Sequence, residues 1–239
     1  MINSLLSKFT YNPETAHPLI RSNREYFQDF DQDKSMADYD FVVLDMEMTG
    51  LNARKNEIVA IGAVRVSKMR IRIADTFRSK VKPEGEMPKD TTLIHRISPQ
   101  KVEDSPSLEE VLPQFVEFLN NAVLVGHNVA LDMSFLNRGV KKHLGHTLAN
   151  PSVDTMRMAM ALRELESQNY YDRYNLDVSY NLFDLGKEYN LPTYDRHDAF
   201  GDAMLTAYLF IYLAAKMAEK GANTLADLYK MGRGSRVIV

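Results

Sequence analysis

From residue 40 onward, short runs of apolar and β-branched residues alternate with polar segments. Three such runs, at 40–48, 57–66 and 70–81, have the composition of strands and are bounded by residues typical of turns. The segment between the second and third runs, 67–69, is short enough for a hairpin. The pattern therefore predicts three strands in an antiparallel meander.

The rest of the chain has the longer hydrophobic period of helices, interrupted by short apolar runs. Ser107 and Glu110 form a Ser-x-x-Glu capping box, which predicts the start of a helix. Residues 122–128 are typical of a short buried strand, and residues 130–145 of a helix that ends at a glycine. A meander followed by strands that alternate with helices indicates an α/β fold, in which helices cover a mixed sheet.

The length of 239 residues suits one domain, with or without an appendage. Residues 1–39 are polar and irregular, and we expect an N-terminal arm with one or two helices there. Residues 40–220 would form the main domain, and residues 221–239 a C-terminal helix and tail. No apolar run reaches the roughly 18 residues that span a bilayer, so we expect no membrane contact.

The amino-acid composition excludes several kinds of functional site, although it says little about the class of fold. The chain has no cysteine, which excludes a disulfide framework, thiolate zinc sites and cysteine nucleophiles, and which fits a cytoplasmic protein. A net charge of −3 does not indicate a general polyanion binder. Basic residues form local clusters, most simply solvated faces, although Arg138, Lys141 and Lys142 could guide a nucleic-acid strand.

Two carboxylates, Asp45 and Glu47, stand at the end of the first predicted strand. Residues i and i+2 of a strand project from one face, so the two side chains would point the same way and repel each other. An oxygen-rich pair of this kind suits Mg²⁺ or Mn²⁺. The alternative is that the strand has already ended and that both side chains are solvated.

A third carboxylate, Asp132, lies in the first turn of a predicted helix, and Asn128 is placed to cap that helix. Phe135 and Leu136 share the face of Asp132, so its carboxylate would lie on the buried side of the helix. A metal ion shared with Asp45 would stabilise it there. The alternative is an aspartate in the first turn that interacts with the helix dipole.

The fourth carboxylate, Asp202, lies on a long helix predicted from near Asp198 to Lys220. Leucines three and seven residues further on share its face, so Asp202 also points toward the core. His197 would lie in the loop before the helix, which Asp198 or a neighbour would cap. A histidine suits general-base catalysis because its ordinary pKa is near neutrality, although a lone histidine at a helix start is often incidental.

In this order the motifs resemble those of the DEDDh exonuclease family, which includes the proofreading epsilon subunit of bacterial DNA polymerase III, RNase T and oligoribonuclease. The matching segments are LDMEMTGL at 44–51, VGHNVALD at 125–132 and HDAFGD at 197–202. The resemblance extends from Asp40 to Ala215. Met48 departs from the family pattern, in which threonine is common at that position, and residues 1–39 match nothing in the family.

The resemblance implies a ribonuclease H-like fold, with a mixed five-stranded sheet flanked by helices. It also implies a metal-dependent enzyme that releases nucleoside monophosphates in the 3′→5′ direction. His197 would be the general base, and two Mg²⁺ or Mn²⁺ ions would be held by Asp45, Glu47, Asp132 and Asp202. Thr49 and Leu51 match positions beside the terminal sugar and base. Further positions near the substrate are His95, His127, Asn128 and Phe135.

We expect the substrate to be the 3′ end of DNA in single-stranded form, and a DNA polymerase subunit to be a further partner. An exoribonuclease of the RNase T or oligoribonuclease kind stays open, because the sequence does not discriminate between the two sugars. A polymerase-associated subunit that acts mainly through binding is a third possibility, which the complete set of carboxylates and the histidine disfavour. For Phe135, the choice is between stacking on a base and packing in the core.

Overall fold

The computed structural model describes residues 13–166 and 178–234. The first twelve residues of the predicted arm and the end of the predicted tail lie outside these ranges. Within the ranges, no helix is both long and apolar enough to cross a bilayer.

Five strands form one mixed sheet. They are β1 (Asp40–Met48), β2 (Ile58–Ser67), β3 (Arg70–Lys80), β4 (Val123–Gly126) and β5 (Ser152–Asp154). Their order across the sheet is β3-β2-β1-β4-β5, with antiparallel pairing in the first three and parallel pairing between β1, β4 and β5. The hairpin between β2 and β3 turns at Lys68 and Met69, whose φ angles of 51° and 56° are those of a type I′ turn. The predicted meander and the predicted mixed five-stranded sheet are therefore confirmed.

Helices cover both faces of the sheet. In the described residues they are α1 (Pro18–Tyr26), α2 (Lys89–His95), α3 (Pro99–Val102), α4 (Leu108–Leu119), α5 (Ala130–Leu144), α6 (Thr155–Glu166), α7 (Leu182–Glu188), α8 (Ala199–Glu219) and α9 (Leu225–Gly234). The predicted capping box is present at the start of α4, where the Ser107 hydroxyl accepts from the Glu110 N–H and the Glu110 carboxylate accepts from the Ser107 N–H. The predicted end of α5 is also confirmed, because Gly145 follows it in the left-handed conformation.

The two largest apolar cores lie on opposite faces of the sheet and hold helices to it. On one face, Phe41 of β1 packs against Phe210 of α8, with ring centroids 4.8 Å apart. On the other face, Leu44 of β1 belongs to the core that includes α4 and α5. Because side chains alternate along a strand, Asp45 and Glu47 share the face of Phe41 and are directed toward α8.

The described part of residues 1–39 packs as part of the same fold. Ile20 of α1 is fully buried, and the Asn23 side chain donates a hydrogen bond to Asn150, which precedes β5. Further along, the Met36 N–H donates to the carbonyl of Asn223, just before α9. The described part of the expected arm, residues 13–39, thus contacts the domain at α1 and again at Met36, and it contains the α-helix α1 and a short 3₁₀ turn at residues 36–38.

Candidate active site

The acidic residues collect at one edge of the sheet, where the carboxyl ends of the parallel strands β1 and β4 lie side by side. Asp45 and Glu47 project from one face of β1, as the strand periodicity predicts. Met46, between them, is buried in the core of the opposite face. Glu47 is only 9% exposed, which excludes the alternative that both carboxylates are solvated beyond the end of a strand.

A glycine brings helix α8 to these carboxylates. Gly62 of β2 pairs directly with Asp45. A Cβ atom at Gly62 would lie 2.3 Å from the backbone nitrogen of Phe200 and 2.4 Å from the carbonyl carbon of Ala199. The first turn of α8 can therefore pack on β2 only because position 62 has no side chain. This contact brings Asp202 close enough to Asp45 for the two charges to interact.

Asp132 reaches the same edge from α5. Its Oδ1 accepts a hydrogen bond from the Met46 backbone N–H at 3.1 Å, and the residue is 5% exposed. The prediction that Asn128 caps this helix is wrong, because Val129 occupies the cap position and no side chain caps it. Asn128 has a φ of 58°, outside the extended region that a capping residue normally adopts, and its N–H donates to Oδ1 of Asp154.

Asp202 faces the site from the first turn of α8 and is 6% exposed. Asp198 caps this helix, as predicted, by accepting a hydrogen bond from the Gly201 N–H. His197 lies in the preceding loop with a φ of 59°, and its N–H donates to Oδ2 of Asp202 at 3.2 Å. The second oxygen of Asp202, Oδ1, is buried and has no hydrogen-bond partner among the described residues.

The four carboxylates and His197 converge at this edge of the sheet. One oxygen each of Glu47 and Asp202 and one ring nitrogen of His197 lie within 4.8 Å of one another. Asp45 and Asp132 complete the cluster, because the charge of Asp132 acts on both Asp45 and Glu47. The imidazole of His197 remains exposed beside this buried acidic group.

This crowding changes the acidity of every carboxylate. Burial, followed by the charges of Asp132, Asp202 and Glu47, raises the pKa of Asp45 well above its ordinary value. Burial, followed by the charges of Asp202 and Asp132, raises the pKa of Glu47 to about 8. Burial also raises the pKa of Asp132 to about 7 and the pKa of Asp202 to about 7, although backbone N–H groups lower both. Without a cation, the cluster therefore retains protons at neutral pH.

These residues fit a site for divalent cations. Carboxylate oxygens are ligands that suit Mg²⁺ or Mn²⁺, and one imidazole nitrogen lies beside them. A cation would supply the partner that the buried Oδ1 of Asp202 lacks. It would also replace the protons that the raised pKa values retain, and so relieve the repulsion between the carboxylates.

The predicted substrate residues near the end of β1 differ in accessibility. Thr49 is buried, and its Oγ1 accepts a hydrogen bond from the Glu57 N–H at 3.0 Å, which fixes the loop after β1. Leu51 is 79% exposed. His95, at the end of α2, is buried, and burial together with the charge of His197 lowers the pKa of His95. His95 therefore lies beside His197 although the two are far apart in the sequence.

The remaining predicted substrate residues lie around β4. The two ring nitrogens of His127 contact the Tyr180 carbonyl at 2.8 Å and the Thr155 hydroxyl at 2.9 Å. A carbonyl only accepts, so Nε2 carries the proton, and burial lowers the pKa of His127, which keeps the ring neutral. Both nitrogens are thus used within the fold. The side chain of Asn128 is exposed, whereas Phe135 is 3% exposed and packs in the core, which favours the core-packing alternative for Phe135.

Two features of the site were missing from the sequence-based prediction. The sequence indicates only a capping role for Asp198, but its charge also raises the pKa of Asp45, Glu47 and Asp202. The second feature is a groove that contains His95 and His197, which we call the basic groove, and its cationic side chains are Arg78, Lys80, Arg96, Lys101 and Arg196. Arg96 and Arg196 stand next to the predicted residues His95 and His197 in the sequence. The other three cations give no such signal, since the fold brings them from other segments.

Comparisons with known proteins agree with this geometry. A profile of the family described as Exonuclease (RNase_T) matches residues 42–210, which contain all four carboxylates and His197. The chain is 31% identical over 221 residues to DNA polymerase III PolC-type of Thermotoga maritima. The aligned residues make up 92% of this chain but only 15% of that protein. This chain is 30% identical over 199 residues to DNA polymerase III subunit epsilon of Aquifex aeolicus, which covers 83% of this chain and 91% of that protein.

The fold of this chain is similar to that of a solved structure. E. coli Exonuclease I in complex with a dT13 oligonucleotide has a TM-score of 0.64 and 17% sequence identity, over 77% of this chain and 42% of that one. At this identity the likeness concerns the architecture alone, and it confirms the predicted ribonuclease H-like fold class. The chain spans a small part of the PolC-type relative and nearly the whole of the epsilon subunit.

Proposed function

Because this chain belongs to the exonuclease family, we propose that it is a metal-dependent phosphodiester hydrolase that removes nucleoside monophosphates from the 3′ end of DNA. One observation carries the proposal. Carboxylates from three separate segments of the chain lie close enough for their charges to interact, and one oxygen each of Glu47 and Asp202 lies within 4.8 Å of a ring nitrogen of the exposed His197. Burying such a cluster costs free energy of folding unless a bound cation offsets the repulsion between the carboxylates.

The acidic residues would hold two Mg²⁺ or Mn²⁺ ions, with the ligands Asp45, Glu47, Asp132 and Asp202. When bound, such ions neutralise the phosphate, lower the pKa of water and stabilise the leaving oxygen. The chain itself orients the ligands before substrate arrives. The Met46 N–H fixes one oxygen of Asp132, and the His197 N–H fixes one oxygen of Asp202, so the other oxygens are directed consistently.

His197 would accept a proton from the attacking water. Its ring nitrogen lies within 4.8 Å of the Glu47 and Asp202 oxygens, and its ring centroid is 6.1 Å from that of Phe183. In the reaction, the hydroxyl of water bonds to phosphorus, the bond from phosphorus to the 3′ oxygen breaks, and a proton ends on that 3′ oxygen. The products are a nucleoside 5′-monophosphate and a strand shorter by one nucleotide.

Two residues near the end of β1 support action at a strand end. The exposed Leu51 offers an apolar surface on which a terminal base would lie. The buried Thr49, bonded to the Glu57 N–H, would hold the loop of Leu51 in place while the base is bound. A strand end needs few further contacts, which agrees with the small net charge of −3.

The names of the relatives support DNA as the substrate and a polymerase of the DNA polymerase III type as the partner. Two of the matched proteins are named as forms of DNA polymerase III, one in a chain far longer than this one and one in a chain of similar length. We propose that this chain acts beside a polymerase of that type. Co-elution of the chain with that polymerase in gel filtration tests the proposal, and separate elution at micromolar concentrations contradicts a stable complex.

The decisive experiment is digestion of matched DNA and RNA oligonucleotides labelled at the 3′ or the 5′ end, with Mg²⁺, with Mn²⁺ and with EDTA. We expect immediate release of the 3′ label as a mononucleotide, a ladder from the 5′ label, and no cleavage in EDTA. A faster digestion of the RNA would favour the exoribonuclease alternative. Binding without cleavage under every metal condition would leave only the role of a binding subunit.

A further inference from the structure

The basic groove beside His197 carries positive charge that no ion pair among the described residues neutralises. None of its five cationic side chains forms an ion pair with a carboxylate of residues 13–166 or 178–234. Arg78 stacks on the ring of Phe200 at 3.2 Å from its centroid, and Arg196 stacks on Phe183 at 4.4 Å. These contacts hold both guanidinium groups in place without neutralising them, and the charge of Arg196 also lowers the pKa of the nearby Asp202.

A buried hydrogen-bond donor lies among these cations. His95 is 5% exposed, and its Nδ1 accepts a hydrogen bond from the Ile97 N–H at 3.1 Å. Nε2 of the neutral ring therefore carries the proton. This Nε2 is buried and has no partner among the described residues, although an unsatisfied buried donor is costly. His95 also lines the groove, so this unpartnered donor belongs to a residue that lies among the five cationic side chains.

Two carboxylates also line the groove, Asp195 and Asp198. The carboxylate of Asp198 is engaged by the Gly201 N–H at the start of α8. The five cations outnumber these two groups, so the groove as a whole attracts anions. Its ligand should therefore carry more than one negative charge and several acceptor oxygens, as a phosphate monoester does at neutral pH.

We infer that the basic groove is a product site, which receives the 5′-phosphate of the released mononucleotide. This inference rests on the proposed function. In an in-line displacement the attacking and leaving oxygens lie on opposite sides of phosphorus, and the phosphate inverts toward the attacking side. His197 would stand on that side, and it is a wall of the groove. Hydrolysis would thus move the phosphate away from the shortened strand and toward His95.

The charge change on hydrolysis gives this transfer a direction. A phosphodiester carries a single negative charge, whereas the new monoester carries between about −1.5 and −2 at pH 7. The groove therefore binds the product more strongly than it binds the strand, and the strand can advance while the mononucleotide leaves. The groove also makes the enzyme sensitive to inhibition by mononucleotides and by inorganic phosphate.

Product inhibition tests the inference in the active protein. The double variant Arg78→Gln/Arg96→Gln should raise the Ki of a nucleoside 5′-monophosphate by about tenfold relative to any change in the KM of a long oligonucleotide. Arg72→Gln is the matched control, since Arg72 is exposed on the same strand as Arg78 but lies outside the groove. An unchanged Ki overturns the product site. An equal rise of Ki and KM, with a weaker dependence of activity on salt, also overturns it and indicates that the groove binds the strand.

Binding of inorganic phosphate without turnover tests the same site independently. In EDTA, the ring signals of His95 in the NMR spectrum of the wild type should shift saturably across the millimolar range of phosphate. His95→Gln retains a donor, so the signal of the introduced amide should shift over the same range. In the double variant Arg78→Gln/Arg96→Gln, the His95 ring signals should not shift. His95→Leu, which has no donor, should lose the binding measured by calorimetry. Absence of a shift in the wild type overturns the inference even if the chain is a nuclease, and a saturable shift supports it even if no nuclease activity is found.

Discussion

Gly62 lies directly opposite Asp45 in the β1–β2 pair, and the backbone of Ala199 and Phe200 crosses it at a distance that no side chain would allow. The relationship links the sheet to the helix that carries Asp202. Because Asp45 and Asp202 are held by different elements, the geometry of the acidic cluster depends on how closely α8 approaches β2. The absence of one methyl group thus determines the spacing of the site.

The change Gly62→Ala should therefore separate the acidic cluster. Its Cβ would lie 2.3 Å from a backbone nitrogen, which cannot move as a flexible side chain can, so the first turn of α8 must shift. We expect a loss of stability of about 1–3 kcal/mol, as for overpacked cores, and a larger loss of turnover than of substrate affinity. Urea unfolding and steady-state kinetics on an oligonucleotide measure the two effects.

Gly85→Ala is the matched control for this change. A Cβ at Gly85 would meet its nearest neighbour, a carboxylate oxygen of Glu57, at an ordinary 3.8 Å. We expect its stability and turnover to match those of the wild type. Equal behaviour of the two variants would show that the approach of α8 to Gly62 has no bearing on the site.

The carboxylates could be predicted from the sequence because each follows a local periodicity. Asp45 and Glu47 are two residues apart in a strand, and Asp202 shares a helical face with leucines. Local rules also predict the caps at Ser107 and Asp198, because a cap depends on residues within one turn. The order of these motifs was sufficient to indicate the family.

Long-range contacts account for what the sequence did not reveal. Asn128 was expected to cap α5, but the carboxylate of Asp154, from the neighbouring strand, holds its N–H in a left-handed turn. The packing of the segment before β1 could not be predicted either. Asn23 in that segment is held by Asn150, which is 127 residues away in the chain. The basic groove was missed for the same reason, since its cations come from separate elements that only the fold brings together.

Replacement of His197 tests the general-base role. His197→Ala should retain the cation-binding carboxylates but lose about 10²–10⁴-fold in kcat, the usual contribution of a general base. Alanine is strained at the φ of 59° found here, so His197→Asn is the better control for the backbone, because asparagine tolerates this conformation. Both variants should bind Mn²⁺, measured by electron paramagnetic resonance, as the wild type does. Turnover close to that of the wild type in either variant would remove His197 from the mechanism.

The raised pKa values predict how pH affects the stability of the cation-free protein. The pKa of Glu47 is about 8 in the fold, against roughly 4.3 in an unfolded chain, so folding favours the protonated carboxyl. This contribution is complete below about pH 4 and is lost as the pH rises through about 8. In EDTA, the melting temperature should therefore fall between about pH 6 and pH 8.5, and Mg²⁺ should restore more stability at the higher pH.

Buried histidines change the stability with pH in the opposite direction, mainly below their ordinary pKa of about 6.5, so a variant is needed to isolate the effect of the carboxylates. Burial lowers the pKa of His95 and of His127, and their contribution to stability is lost as the pH falls. Glu47→Gln retains both histidines but removes one of the acidic groups. We expect a smaller decrease of melting temperature with pH in this variant than in the wild type. The same slope in both proteins would contradict a raised pKa for Glu47.

The asparagine pair at the opposite edge of the sheet should affect stability without affecting catalysis. The Asn150 side chain donates to the carbonyls of Asn120 and Ala122, at 3.1 and 2.8 Å, and accepts from Asn23. Asn150→Ala removes this partner from the buried Asn23 amide and the buried Ala122 carbonyl, at a cost of about 1–3 kcal/mol. The value of kcat should stay unchanged, because the carboxylates lie at the other ends of the strands. The exposed Asn121, changed to alanine, is the control and should have wild-type stability in urea unfolding. If both variants unfold at the same urea concentration as the wild type, the pair does not fasten the N-terminal segment to the domain.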